Sequence, residues 1–394
     1  MLAMTPLLQT NTPWGFLPVD KDRTAFKENC AKMHQNAKDW GASFRAHLKT
    51  HKTIEGTRLQ LDFSVAKSSA VIVSTMMEAW GVVHGGLVED GTVKDILYGL
   101  PVGPNKLDDL SVLHEEMVKY GGTVRIMVDN LEQVKFLEEY ERQRQQPKKW
   151  STFIKMDGGQ KRAGTSPKPE SFKPFMKTVF ASAAISVFGF YSHAGDSYGS
   201  TSREQAVSYL TGEVQLVNDA ALMAQEVLAE YQNKSIRSQP FVLSVGSTPT
   251  ALGATAKAKI ISQLCNYPML DLQQLHTTLI DRSSISQRVL ATIISYYPGR
   301  GRDGLDEALC DAGAISMSKD GGRIPGFGEV VGKFWRLGRI SRNMAKADPV
   351  LTIGERIEIV GQHACLIAAG HPWYYVVDGG SERMVDVWVP WKGW

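Results

Sequence analysis

A chain of 394 residues with 43% hydrophobic and 22% charged residues has the composition of an ordinary soluble globular protein. It is long enough for two domains, or for one large barrel with an appendage. A formal net charge of +3 gives no general drive toward nucleic acid or an anionic membrane. No apolar run is long enough to cross a bilayer.

Four cysteines (Cys30, Cys265, Cys310 and Cys365) stand at irregular spacing, make no disulfide framework, and suit a reducing compartment. The first residues hold no basic segment leading into an apolar core, so no signal peptide is expected and the expected location is cytoplasmic.

Thr12-Pro13 opens the ordered part, and residues 20–37 follow with Phe26, Cys30 and Met33 at helical spacing. The stretch 44–53 then places two histidines, two lysines and an arginine on an alternating pattern. On an extended strand Arg45, His47, Lys49 and His51 share one face. Such a face is either a solvated edge or a weak nucleic-acid patch. Alternatively, it holds a lysine whose pKa is lowered by neighbouring cations, ready to form a Schiff base with an aldehyde cofactor.

Short apolar runs recur after it, at 71–73, 96–98, 124–128, 153–156, 185–190 and 241–243. Each is β-branched or aromatic and bounded by glycine, proline or polar residues, as buried parallel strands are. The segments between them read as helices. The clearest starts near Ser202 with Gln205 as a capping-box partner, and carries Val207, Leu210, Val214, Val217, Ala221 and Leu228 as its apolar stripe. Residues 161–174 read as a loop after a strand. About eight strand candidates up to Met269 favour a (β/α)8 TIM-like barrel, an α/β fold, over a doubly wound sheet.

Beyond residue 280, strand-like runs at 289–295, 357–360, 373–377 and 385–389 follow one another without helices. The expected division is a barrel over 1–280, with the extreme N-terminus open to joining the second unit, and a C-terminal β-rich domain over 281–394.

Four polar stretches fall where barrel strands should end, the place where barrel enzymes keep their sites. They are the basic stretch, Lys155-Met156-Asp157 running on to Lys161-Arg162-Ala163-Gly164, Tyr191-Ser192-His193-Ala194-Gly195-Asp196-Ser197-Tyr198, and Ser244-Val245-Gly246-Ser247-Thr248-Pro249-Thr250. The last is a phosphate cradle in form, small and rich in hydroxyls ahead of a helix. Taken singly, each is more often a solvated loop or a structural histidine.

In order, and with Gln362-His363-Ala364-Cys365 after them, these motifs resemble the eukaryotic zinc-dependent D-serine dehydratases. Those stand with the D-threonine aldolases among the alanine-racemase-like, fold-type III pyridoxal-phosphate (PLP) enzymes. The chain is identified as a diverged, fungal-type member, and the resemblance runs from about Thr12 to Trp394.

The resemblance implies PLP and zinc as cofactors, a small amino-acid substrate, and a homodimer without nucleic-acid or membrane partners. It makes Lys49 the Schiff-base lysine, Arg162 the arginine near the pyridine phenolate oxygen, Tyr191 and Tyr198 cofactor contacts, and Thr248 the phosphate-loop threonine. Cys265-Asn266 stands at the next cofactor-binding strand end, and His363 and Cys365 form the metal pair. On an extended strand those two side chains would point the same way.

Three positions depart from the family. Asp196 replaces a histidine, Cys265 a glycine, and Asn343-Met344-Ala345 a Glu-His-Gly. The implied reaction is loss of water from a small D-β-hydroxy amino acid such as D-serine, giving a 2-oxo acid and ammonia. Zinc would ease departure of the hydroxyl, since it lowers the pKa of bound water from 15.7 to about 7–9. The alternatives are aldol cleavage, a specialised amino-acid enzyme of fungal secondary metabolism, and a catalytically inactive PLP-binding regulator.

Overall fold

The computed structural model describes residues 19–62, 67–232, 240–253, 261–264, 267–301, 304–323, 325–339, 343–345, 350–379 and 384–393. Thr12, Pro13, Cys265, Asn266 and Trp394 lie outside the described residues.

After a short strand β1 (Val19–Asp22), eight parallel strands close a barrel in sequence order. They are β2 (Phe44–His47), β3 (Ala70–Val73), β4 (Asp95–Pro101), β5 (Thr123–Val128), β6 (Trp150–Lys155), β7 (Ile185–Tyr191), β8 (Val242–Val245) and β9 (Ile261–Leu264). Closure is the pairing of β9 back onto β2, with Phe44 opposite Ser262 and Arg45 opposite Gln263.

The helices around the barrel start where the sequence supplies oxygen caps. Asp22 caps α1 (Arg23–Asp39), Thr53 caps α2 (Ile54–Leu61) and Thr75 caps α3 (Met76–His84). Downstream, α4 (Leu107–Lys119) and α5 (Leu131–Arg142) follow, the latter opened by an Asn130/Gln133 capping box. Then come α6 (Pro169–Ala181), α7 (Arg203–Gln232) and the short α8 (Thr248–Gly253).

The barrel interior divides by height. Ile72, Leu97, Met127, Phe153 and Tyr191 form its apolar layer. Nearer the strand starts, Arg45 grips Asp95 with two hydrogen bonds of 2.7 and 2.9 Å, and Arg125 adds a third of 2.8 Å. The Arg125 guanidinium also lies 3.4 Å from the Phe188 ring centroid, a cation–π contact. Ionic groups this buried need partners, and here the pairing plugs the N-terminal end. The C-terminal end is left for chemistry.

The second sheet is formed by β10 (Gln287–Tyr297), β11 (Glu307–Cys310), β12 (Gly328–Val330), β13 (Arg336–Arg339), β14 (Asn343–Ala345), β15 (Arg356–Gly361), β16 (Tyr374–Val377) and β17 (Met384–Trp388). Its order is β11-β14-β13-β12-β15-β10-β1-β16-β17, so β1 is built into it, antiparallel to β10 and parallel to β16. The expected barrel and β-rich C-terminal unit are both present, the latter as a sheet that is antiparallel except where β1 pairs with β16.

Two local readings change. The alternation of the basic stretch ends with the strand at His47. His51 turns away and is fully buried under α2, its Nε2 2.6 Å from Gln60 Oε1 and its ring edge-on to Phe26. The span read as a loop over 161–174 becomes helical from Pro169. Pro169 occupies the first turn, where its missing N–H costs nothing, and Pro174 removes only one early hydrogen bond.

Candidate active site

The C-terminal ends of β2, β6, β7 and β8 converge on a group of cations and imidazoles. Lys49 follows β2 in a tight turn and is half-buried. Lys155 ends β6 at 8% exposure, with its Nζ 4.7 Å from the ring centroid of Tyr191, the residue paired with it on β7. Between them stand His47, whose Nε2 is 2.9 Å from Ser74 Oγ, and His193, whose Nδ1 donates to the Gly246 carbonyl at 2.9 Å.

Burial pushes His47 well below its ordinary pKa, and the charges of Lys49, Lys52 and Lys155 add to the drop. Burial likewise takes His193 down to about 4. Its bond to Gly246 works against that, and Lys49, Lys155 and Arg162 work with it. Both imidazoles are therefore neutral at pH 7. His193, having spent its Nδ1 proton on Gly246, offers Nε2 as an acceptor.

The hydroxyl loop lies beside them. Gly246 holds φ +134°, a conformation that excludes a β-carbon without strain. Ser247, Thr248 and Thr250 are fully buried. Ser247 Oγ meets Ser197 Oγ at 2.5 Å, and the Tyr198 hydroxyl reaches Thr248 Oγ1 at 3.5 Å. Ser192 Oγ and Ser244 Oγ are buried with no hydrogen-bond partner, as hydroxyls are where a polar ligand completes a site. The loop thus fits a phosphate-bearing cofactor. Arg162 is exposed on the loop after β6, close enough for its charge to act on His193.

The second sheet brings in His363 and Cys365. They do not lie on one strand. His363 is the N-cap of the helix Ala364–Gly370, and Cys365 stands in its first turn. The pair nevertheless meets, because a cap residue turns back over the first turn. Asp320 Oδ2 lies 2.5 Å from His363 Nδ1, and Cys365 Sγ lies 3.0 Å from Thr50 Oγ1, beside Lys49.

Burial opposes ionisation of the Cys365 thiol, yet His363 and Lys49 outweigh it and hold the thiol below its usual value. Burial also opposes protonation of His363, but the bond to Cys365 and the charges of Cys365 and Asp271 raise it to about 9. A thiolate and an imidazole held by a carboxylate through its other nitrogen form a donor set that suits zinc. Among the described residues no group of three or more histidines, cysteines or carboxylates is placed to hold an ion.

The expected residues Lys49, Tyr191, Tyr198, Thr248, His363 and Cys365 therefore gather around one end of the barrel, with Arg162 at its margin. Asp196 is exposed in the turn Gly195–Gly199. Sequence reasoning passed over two groups. His47 was read only as one of a basic face. Glu213 on α7, whose Oε1 accepts the Ala194 N–H at 2.5 Å, was hidden inside an amphipathic pattern.

A closed parallel barrel with a lysine at its C-terminal rim and an antiparallel sheet beside it is the alanine racemase type of architecture. The alanine racemase N-terminal domain family matches residues 21–262, and the serine dehydratase domain family matches residues 286–377. The structure of an alanine racemase-like protein from Idiomarina loihiensis superposes with a TM-score of 0.80 at 25% identity, covering 96% of this chain and 97% of the other.

The D-serine dehydratase of Schizosaccharomyces pombe is 37% identical over 95% of this chain and 90% of its own length. That of Saccharomyces cerevisiae is 33% identical over 95% and 94%. The chain belongs to the D-serine dehydratase family, and it is an enzyme of the lyase class.

Proposed function

We propose that the protein removes water from a small D-β-hydroxy amino acid, best represented by D-serine, giving a 2-oxo acid and ammonia, with PLP on Lys49 and zinc at His363 and Cys365. The observation that carries this reading is the meeting of the Lys49 turn with the His363–Cys365 pair, through Thr50 and Cys365 at 3.0 Å. A racemase needs only the lysine side of that junction. A thiolate and imidazole beside the lysine suit a reaction in which an oxygen must leave or be held.

PLP, when bound, supplies the electron sink that acidifies the substrate Cα. The chain supplies the rest. The Lys49 amine would take the proton from Cα. Thr248, Ser247 and the Gly246 backbone would hold the phosphate, with Tyr198 bonded to Thr248. Tyr191 and Arg162 would contact the cofactor. His193, neutral and fixed by Gly246, presents an acceptor without adding a charge. His363 and Cys365 would hold the metal, a Lewis acid that would assist departure of the β-hydroxyl.

The test is incubation with D-serine, D-threonine and a panel of β-hydroxy amino acids, followed by quantitation of keto acid, glycine and substrate chirality. Keto acid from D-serine that disappears with a chelator and returns with zinc supports the proposal. Glycine from D-threonine without keto acid replaces it with aldol cleavage.

A further inference from the structure

Helix α7 buries one face, and its fully buried positions run Ala206, Glu213, Val217, Ala220, Ala224 and Val227. A carboxylate thus stands at a position where the spacing calls for an apolar residue. Glu213 is 3% exposed, and an unpaired carboxylate that deep is costly.

Its contacts point elsewhere. Oε1 accepts the Ala194 N–H at 2.5 Å, directly after His193. The residue lines a cavity of about 600 Å³, together with Gly158, Gly199, Gly212 and Arg323. Burial raises Glu213 to about 7, while the Ala194 amide, the Thr250 hydroxyl and the Gly246 amide pull the other way. Those three groups come from the two loops that meet at the site. One carries His193, and the other is Gly246-Ser247-Thr248-Pro249-Thr250. The same loops are tied by His193 to Gly246 and by Ser197 to Ser247.

We infer that Glu213 is a positioning residue: from outside the barrel wall it holds the His193–Ala194 backbone in register with the Gly246–Thr250 loop, and through them it sets how tightly the cofactor is gripped. This rests on the proposal that these loops hold PLP.

The experiment compares Glu213→Leu and Glu213→Gln in the full chain. PLP affinity is read by titrating visible absorbance, the bound phosphate by its phosphorus NMR shift, and folding by the thermal midpoint. Leucine suits the apolar face, so Glu213→Leu keeps or raises the midpoint while PLP binds about tenfold more weakly, the loss expected for one charge-assisted hydrogen bond, with a displaced phosphorus signal. Glu213→Gln keeps an acceptor for Ala194 and restores affinity to within about threefold.

Unchanged affinity and an unchanged phosphorus signal in Glu213→Leu overturn the inference while leaving the cofactor reading intact. Equal losses in both variants also overturn it, because geometry would not then be the cause. Should Glu213→Leu fail to fold, Glu213→Ala takes its place in the same comparison. A wild-type chain that binds no PLP overturns the cofactor reading and this inference together.

Discussion

The Thr50 hydroxyl and the Cys365 thiol lie 3.0 Å apart although 315 residues separate them in the chain. Thr50 follows Lys49 directly, and Cys365 follows the cap residue His363 by two. Two segments far apart in the chain therefore meet at one side-chain hydrogen bond. Cys365→Ala and His363→Ala should abolish metal-dependent turnover while the visible absorbance of lysine-bound PLP persists, whereas Lys49→Ala should remove both. Absorbance spectra with parallel zinc analysis check this; loss of the visible band in Cys365→Ala would mean that the two halves are not separable.

At the other end of the barrel, Asp95 is held by two arginines. Burial resists its ionisation, but Arg45 and Arg125 overcome that and keep its carboxyl below the usual range. A carboxyl lowered in the fold stabilises above its unfolded pKa, and that stability is lost as pH falls through the folded value. Asp95→Ala should cost about 3–5 kcal/mol, because it strands two buried guanidiniums. Denaturant unfolding at pH 7 measures it, and a cost under about 1 kcal/mol would show that water reaches the arginines.

Glu213 predicts the opposite pH sign. Its folded value of about 7 stands above the unfolded carboxyl value, so its stabilising effect is whole below about 4.5 and is lost as pH rises through about 7. Glu213→Gln should therefore be more stable than wild type at pH 8, by on the order of 2–3 kcal/mol, and nearly equal to it at pH 4.5. Thermal midpoints at the two values decide it.

His193 works against Glu213 in the same window. Its folded value of about 4 lies below the unfolded histidine value near 6.5, so stability falls as pH drops from 6.5 toward 4. His193→Gln should flatten that acid limb by roughly 2–3 kcal/mol. The wild-type profile shows only the difference of the two slopes, so the single variants are needed to reveal each.

Much of this arrangement was legible in the chain. Lys49, Tyr191, Tyr198 and Thr248 sit in stretches whose residue types are odd for a strand end, and they fall together because parallel barrels collect their strand ends on one rim. Glu213 was not legible. Its helix carries Val207, Leu210, Val214 and Val217, and that stripe accounts for the pattern; only the packing shows that the buried face is rotated to include position 213. His51 illustrates a second limit, since alternation marks a face only while the strand lasts, and β2 ends four residues earlier. His363 and Cys365 were expected on a strand and meet instead across a helix cap, where the turn rather than the pleat supplies the common direction.

The placement of β1 carries a consequence for how the protein is made. Strand Val19–Asp22 lies between β10 and β16, and just beyond it Arg23 is clasped by Asp378, 355 residues away. A ribosome adding about 5–20 residues per second releases the first strand roughly 20–70 s before that partner exists. The barrel has time to form in between, and the terminal sheet can be completed only when the chain's last segment returns to its first. Newly made molecules therefore pass through a stage with an unmated N-terminal strand, the kind of edge that recruits other chains.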